Sequence, residues 1–508
     1  MSTIRRQSIV SSMVVYVGFA IGFFNTYLFT RQGGFTKEQF GLTAIFVAMA
    51  QLMYSLSSVA MPAFVTKFFP YYKAHLPPKK NDLLTIALII PCIGFLPVII
   101  LGILFKETLV TNVFNNSPEL LRYYYWLFPF GFGYTIFMVL DVYTWQLQKA
   151  VLSNVLKEVM FRVFVTVLIA LTMFGLIESF STFIGLYAFV YVGLVLFLFI
   201  YLAMQGHLHF TLTISKVTRR FKNKIKALVG FVWSGGLIFS LSSVVDTLFI
   251  AAILPNGIGA AGIFTFGQYM TSLIQAPQRA VISAATGPLS AAWREKDYDR
   301  IHRIYQQSSI NQLLFSVAMF SLIWMNFEDG IATFQLQPAY LDAKWVFFYF
   351  GLTRIIDMGT GVNAQIIGTS SFWKFEFTSG LILLGLMLPL NFFLTRSLGM
   401  YGPALANLIS FSVYNVIRFV FLYRKFGMQP FTRKTLYALL VAALCFVLAY
   451  LPFREYTGLH WLAIRSLVFL VPFAILTIKL NLSADLLPLW QTLQMRLRGR
   501  SRGVGSRQ

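Results

Sequence analysis

A chain of 508 residues would hold roughly two to four soluble domains, but 57% hydrophobic residues against 12% charged ones exclude that reading and leave an integral membrane protein. The formal charge of +23 invites a nucleic-acid reading until its placement is examined, because it alternates from loop to loop between apolar stretches. Cys92 and Cys445 each stand inside such a stretch, so there is neither a disulfide framework nor zinc-type spacing, and both are expected to serve as small packing residues.

A helix needs about 20 apolar residues to cross a bilayer. Fourteen stretches qualify: 9–30, 40–64, 83–105, 121–144, 159–177, 181–204, 228–253, 261–287, 309–326, 345–369, 377–395, 401–423, 435–453 and 461–479. The expected fold is an all-α polytopic membrane protein. Arg5 and Arg6 precede the first span as in a signal peptide, but its apolar run is too long and lacks a small-residue cleavage site, so it is expected to remain. Counted from a cytoplasmic N-terminus, the inner connections hold 29 of the 41 Lys and Arg residues. That asymmetry places both termini in the cytoplasm.

The first span contains no Asp or Glu; the earliest acid of the chain is Glu38. Gly18 and Gly22 form a small-xxx-small pair, with Asn25 on nearly the same side, which suits close helix packing. In the second span Gln51, Ser55, Ser58 and Pro62 follow helical spacing and form a polar stripe. The turn from Phe68 to Asp82 is basic and proline-broken, as expected at an anionic leaflet. The connection Lys106–Leu120 is too short for a catalytic domain. Asp141 ends the fourth span and Arg162 starts the fifth, where Arg162 is expected to snorkel to the interface.

The basic connection 205–227 divides the chain. Six spans precede it and six follow, suggesting an N-lobe (1–204), the linker (205–227), a C-lobe (228–424), a terminal helix pair (425–480) and a basic tail (481–508). An offset of 217 residues pairs Gln148 with Gln365, Ser153 with Ser370 and Lys157 with Lys374. The identity is slight, and the support comes from the order of spans and turns. Even numbers of crossings make the lobes parallel repeats, related by a pseudo-twofold axis along the membrane normal.

Intramembrane charges are functional candidates by default. Asp246 lies four residues after Ser242 in the seventh span. In the eighth, read as one helix over 261–292, Gln268, Ser272, Gln275, Arg279 and Ser283 share a face that suits water, with Pro277 and Pro288 as possible kinks. An arginine at mid-bilayer depth costs about 2.5 to 3.5 kcal/mol, so Arg279 is expected to line an aqueous cavity. In the tenth span Arg354 and Asp357 stand three apart, Gly361 and Gln365 continue their face, and the two charges either neutralise each other or meet a ligand. Arg418 and Arg465 lie near span ends, where snorkelling is expected.

No HExxH, GxSxG, P-loop or paired outer-loop carboxylates occur, so no catalytic residues, metal site or enzyme activity are expected. Fourteen spans grouped six, six and two, the stretch from Gly262 to Asp299, and the run from Gly361 through Asn363 and Ser370 to Gly399–Ala404 resemble the oligosaccharide flippases of the polysaccharide transporter family. That family belongs to the superfamily of multidrug, oligosaccharidyl-lipid and polysaccharide exporters. The likeness implies a monomer in the bacterial inner membrane that moves polyprenyl-diphosphate-linked glycan to the outer leaflet, beside glycosyltransferases and a polysaccharide polymerase. Guanidinium forks suit a diphosphate, and amide or hydroxyl groups suit sugars. Arg279 and Arg354 are therefore the diphosphate candidates, with Gln268, Ser272, Gln275, Gln51 and Gln365 facing the glycan. Asp246, Asp357 and Asp141 are candidates for proton or sodium coupling, and no other cofactor is expected. A lipid II flippase differs only in its glycan. A cation-coupled drug extruder would carry an acid in the first span, and a membrane glycosyltransferase or ligase would show transfer activity with a lipid donor.

Overall fold

The computed structural model describes residues 3–108, 114 and 118–483. The tail from 484 onward and most of the connection 109–117 lie outside the described residues. All fourteen expected spans are helical. Among the described residues, eleven helices or helical runs are long and apolar enough to cross a membrane. The stretches 159–177, 261–287 and 345–369 are instead assembled from shorter pieces.

In chain order the helices are α1 (Thr3–Thr30), α2 (Lys37–Ser57), α3 (Met61–His75), α4 (Leu83–Leu104), α5 (Pro118–Tyr123), α6 (Leu127–Gln146) and α7 (Ala150–Asn154). A π-helical turn, Val155–Met160, leads into α8 (Phe161–Met173). There follow α9 (Phe180–Ala188), α10 (Val190–Met204), α11 (Lys216–Ile253), α12 (Gly257–Gln275), α13 (Gln278–Glu295), α14 (Tyr298–Thr333) and α15 (Ala343–Gly359). The last are α16 (Asn363–Thr369), α17 (Trp373–Leu398), α18 (Tyr401–Phe426), α19 (Arg433–Tyr450) and α20 (Leu459–Lys479). The basic segment after α10 becomes helical at Lys216 and runs without interruption into the seventh span.

The chain divides into two compact units, one reaching Thr265 and including Asn391–Met400, the other comprising Phe266–Leu390 and the chain from Tyr401 onward. The first unit is centred on aromatic rings where α2, α6 and the α9–α10 segment meet. Phe130 stacks on Tyr187 at 5.0 Å and Phe161 on Tyr191 at 4.7 Å. Offset stacking of this kind adds about 0.5 to 1.5 kcal/mol beyond area burial. In the second unit, one apolar cluster joins α14 to α19 and α20 through Leu313, Val441, Cys445 and Phe469. Another joins α13 to α14, α16 and α18 through Leu289, Tyr305, Ile366 and Leu422. Cys445 is buried as expected, but Cys92 is exposed on α4, so its expected packing role is not found.

Two spans break in the middle, for different reasons. After α2 the backbone turns left-handed at Val59 (φ 47) and Ala60 (φ 52), an unusual conformation for a β-branched residue. The break frees helical carbonyls, which must find donors elsewhere. Trp233 Nε1 of α11 donates to the freed Ser55 carbonyl at 3.0 Å; one turn earlier, inside α2, Ser240 Oγ adds a bond to the Gln51 carbonyl at 3.3 Å. The second break corrects the expectation of one helix over 261–292. Pro277 has no N–H to continue the ladder, so α12 stops at Gln275 and α13 begins at Gln278. Ala276 follows Val59 by 217 residues, the offset at which the two halves were aligned.

The tenth span also differs from a continuous face. α15 ends at Gly359, and Gly361 adopts φ 65 before α16 begins. A Cβ at Gly361 would stand 2.8 Å from Ser308 Oγ and 3.0 Å from the Ser309 nitrogen, so glycine is required both by conformation and by space.

Candidate functional site

The face of α13 is the first feature to explain. Arg279, Ser283, Thr286, Gly287 and Ser290 are exposed along it, while Gln278, Ala285, Leu289 and Ala292 are buried. Thr286 and Ser290 donate back to carbonyls of their own helix at 2.7 and 3.0 Å, which leaves a shallow surface of small groups around one guanidinium. The contrast with α4 is direct. There Ile93, Leu96, Ile100 and Leu104 are exposed, all large and apolar, as contact with acyl chains requires. α13 has the wrong outer face for lipid and the right one for water.

Immediately before Arg279 a polar network begins. Gln278 Nε2 donates to Asp357 Oδ2 at 2.8 Å, and Asn415 Nδ2 donates to Asp357 Oδ1 at 3.2 Å. Asn415 Oδ1 in turn accepts from Thr360 Oγ1 at 2.8 Å and from Asn363 Nδ2 at 2.9 Å. Arg418 reaches Asn363 Oδ1 at 3.5 Å and binds Glu376 and Tyr414 through its other terminal nitrogen. The chain of contacts therefore ties α13, the α15–α16 break, α17 and α18 together within the second unit. Gln278 Oε1 and Glu376 Oε2 are buried without a hydrogen-bond partner.

Three arginines depart from expectation. Arg418 is only 3% exposed and Arg465 only 2%, so neither snorkels. Arg465 is paired with Asp329 of α14, whose other oxygen accepts from the Gly458 nitrogen and Thr333 Oγ1, both at 2.9 Å. The physical reason is compensation: a buried guanidinium is tolerated where a carboxylate and further donors complete the site. Arg162 likewise pairs with Glu158 at 2.7 Å, one turn away, instead of reaching outward alone. Gly18 and Gly22 create the space it occupies, since a Cβ at Gly22 would lie 2.8 Å from Arg162 Nε and one at Gly18 would lie 2.5 Å from the Glu158 carbonyl oxygen. Asn25 completes the contact by donating to the Arg162 carbonyl at 2.8 Å.

The remaining candidates are distributed as follows. Gln268, Ser272 and Gln275 are half-buried on α12, with Ser272 Oγ donating to the Tyr269 carbonyl at 2.6 Å. Gln365 is half-buried on α16, and Arg354 is half-buried on α15, one turn before Asp357. Gln51 belongs to the first unit, half-buried on α2. Asp141, buried on α6, accepts from Ser153 and lies 3.7 Å from Lys157 Nζ. Asp246, 4% exposed on α11, accepts from Asn391 Nδ2 at 2.8 Å. Asn391 is wholly buried, its own Oδ1 has no hydrogen-bond partner, and Thr395 Oγ1 bonds the Asn391 carbonyl at 2.5 Å.

Sequence reasoning missed Gln278, Asn391, Asn415 and Glu376. Asn415 was detectable as one of two amides, with Asn407, in an apolar span; Gln278 was hidden by the assumption of an unbroken helix. Among the described residues no three His, Cys, Asp or Glu side chains gather as a metal site.

A scan of protein-family models finds no match, and no curated protein matches in sequence. The fold does match solved structures. It is similar to the lipid II flippase MurJ in an inward closed conformation, with a TM-score of 0.72 and 15% identity over 94% of this chain and 100% of that one. It is also similar to an inward-facing multidrug resistance MATE family transporter of the MOP superfamily, with a TM-score of 0.60 and 14% identity over 82% and 98% of the two chains. A MATE in complex with MaL6 gives 0.52 and 14% over 83% and 96%. These structures are transporters, and the protein has their multi-pass helical fold.

Proposed function

We propose that this protein is a flippase that moves a polyprenyl-diphosphate-linked oligosaccharide from the inner to the outer leaflet of a bacterial inner membrane, by alternating access, for surface polysaccharide assembly. The observation that carries this reading is the outer face of α13, where Arg279 stands among small polar residues on a helix that leads into α14, which is long and apolar enough to cross a membrane. A guanidinium in that setting is matched to a diphosphate, to which it can donate two parallel hydrogen bonds. Gln268, Ser272 and Gln275 of α12 offer amides and a hydroxyl to the sugar hydroxyls, with Arg354 and Gln365 as further contacts in the same unit. The fold shared with MurJ and with MATE transporters supports movement of substrate without a chemical step.

Coupling is assigned to buried carboxylates. Asp246 offers a charged oxygen beside the unpartnered Asn391 Oδ1, an oxygen-rich setting suited to a proton or a sodium ion. Asp357, held by two amides, is the alternative in the second unit, and Asp141 the third candidate. An inside-negative potential also favours outward movement of anionic charge, by about 2.3 kcal/mol per charge per 100 mV.

The test is complementation. Arg279→Ala should abolish surface-glycan export in a strain lacking its own flippase while protein level and membrane insertion remain those of the wild type. Full export by the variant would end the assignment. A second reading, flipping of a lipid-linked cell-wall precursor, draws on the likeness to the MurJ structure. Growth of a strain depleted of its lipid II flippase on expression of this protein would select it. A cation-coupled drug extruder is disfavoured by the acid-free first span and by the positive charge of the α13 face, which would repel cationic drugs.

A further inference from the structure

In the first unit the last turns of α3 run beside the first turns of α11. A groove of about 400 Å³ opens there, lined by Lys67, Phe68, Tyr71, Phe221, Lys224 and Leu228 among others. Its floor is aromatic: Phe221 lies 5.8 Å from Phe68 and 5.2 Å from Tyr71, centroid to centroid. Lys67 and Tyr71 are one turn apart on α3, as are Phe221, Lys224 and Leu228 in succession on α11, so each helix brings a ring and an ammonium to the same side. Tyr72 and Thr218 fix the helices to one another through hydroxyls 2.7 Å apart.

The charge of the groove is uncompensated. No acid occurs between Glu38 and Asp82, nor between Glu178 and Asp246, so neither wall carries a carboxylate. The nearest acid, Asp82, is 2% exposed and already accepts from the Ser215 nitrogen at 2.9 Å and Thr218 Oγ1 at 2.7 Å. Among the described residues Lys67 and Lys224 have no ion-pair partner, and Lys224 only approaches the Phe221 ring, at 5.7 Å. The neighbourhood is basic as well: burial, and then Lys149, His209 and Lys73, push the His207 imidazole below its ordinary range.

We propose that this groove binds the phosphate of an anionic glycerophospholipid between Lys67 and Lys224, with the glycerol and upper acyl chain against Phe68, Tyr71, Phe221 and Leu228. Basic pockets between membrane helices at the cytoplasmic face hold anionic headgroups in this manner. A lipid fits better than a free anion because half of the wall is apolar. A hydrated phosphate would leave Tyr71, Phe221 and Leu228 facing water, whereas an amphiphile covers both halves.

The test uses the full-length protein in a neutral detergent, with added phosphatidylglycerol or phosphatidylcholine, and native mass spectrometry to count retained lipid. Wild-type protein should retain one phosphatidylglycerol in preference to phosphatidylcholine. Lys67→Gln with Lys224→Gln should weaken that retention at least tenfold, and Lys67→Arg with Lys224→Arg should preserve it. Lys222→Gln with Lys226→Gln removes the same charge from α11 outside the groove and should leave retention unchanged. Equal retention of phosphatidylcholine, equal loss in both glutamine pairs, or displacement of the lipid by millimolar inorganic phosphate would each overturn the proposal.

Discussion

Arg279 and Arg465 are the same residue type in the same unit, each in a stretch read as membrane-spanning, yet their surroundings are opposites. Arg465 is 2% exposed and locked to Asp329, while Arg279 stands on an exposed face of small polar groups. Arg418 resembles the first case, with Glu376, Tyr414 and Asn363 around it. Arg162 is intermediate, its side chain 25% exposed and paired within its own helical run. The difference teaches that depth along a span does not decide what an arginine does. What distinguishes them is burial: Arg418 and Arg465 are enclosed together with a carboxylate, and Arg279 is exposed.

Five single substitutions sharpen that gradient. The largest effect on stability is expected for Arg465→Ala, which strands a buried Asp329 and should cost about 3 to 5 kcal/mol. In detergent melting the variant should lose most of its cooperative transition, and Asp329→Leu with Arg465→Met should recover it. Recovery failing in the double variant would mean that the pair does more than neutralise itself. Gly361→Ala comes next. The left-handed backbone costs a side chain about 1 to 2 kcal/mol before the crowding against Ser308 is added. Gly399, which has φ 64 and open space around it, is the control that separates strain from crowding.

Gly18→Ala should then cost about 1 to 3 kcal/mol, because the new methyl meets backbone at Glu158, which cannot swing aside. Gly22→Ala meets only the flexible Arg162 side chain and should cost less; the reverse order in melting temperature would contradict the packing described. Arg279→Ala should be the mildest for stability, within about 0.5 kcal/mol, and the most damaging for export. A variant that loses both together would place Arg279 with Arg465 as a structural residue and remove the basis of the transport proposal.

Much of this was legible before any coordinates. Apolar length located the eleven helices long enough to cross a membrane, Pro277 marked the point where the eighth stretch divides, and the spacing of Gly18, Gly22 and Asn25 announced a close helix contact. The break at Val59 and Ala60 was not legible, because neither residue is a turn former and the compensating donor, Trp233, comes from a helix 178 residues later. The buried arginines were misread for a related reason. Their acids lie 42 and 136 residues away, and periodicity within one helix says nothing of a partner on another. Of the candidate site, Arg279, Ser283 and Asp357 were visible as polar anomalies in apolar surroundings. Gln278 was not, since its burial depends on the rotation that Pro277 imposes on α13.

The Asp329–Arg465 pair has a consequence for biogenesis. The acid is translated 136 residues before its base, so at about 5 to 20 residues per second the nascent chain carries an unmatched carboxylate for roughly 7 to 27 s. Over that interval α14 cannot settle into hydrocarbon as a finished helix; it must wait beside the insertion machinery until α20 emerges. A ribosome stalled or terminated after α19 would therefore release a chain fit for quality-control proteolysis, however complete its earlier helices.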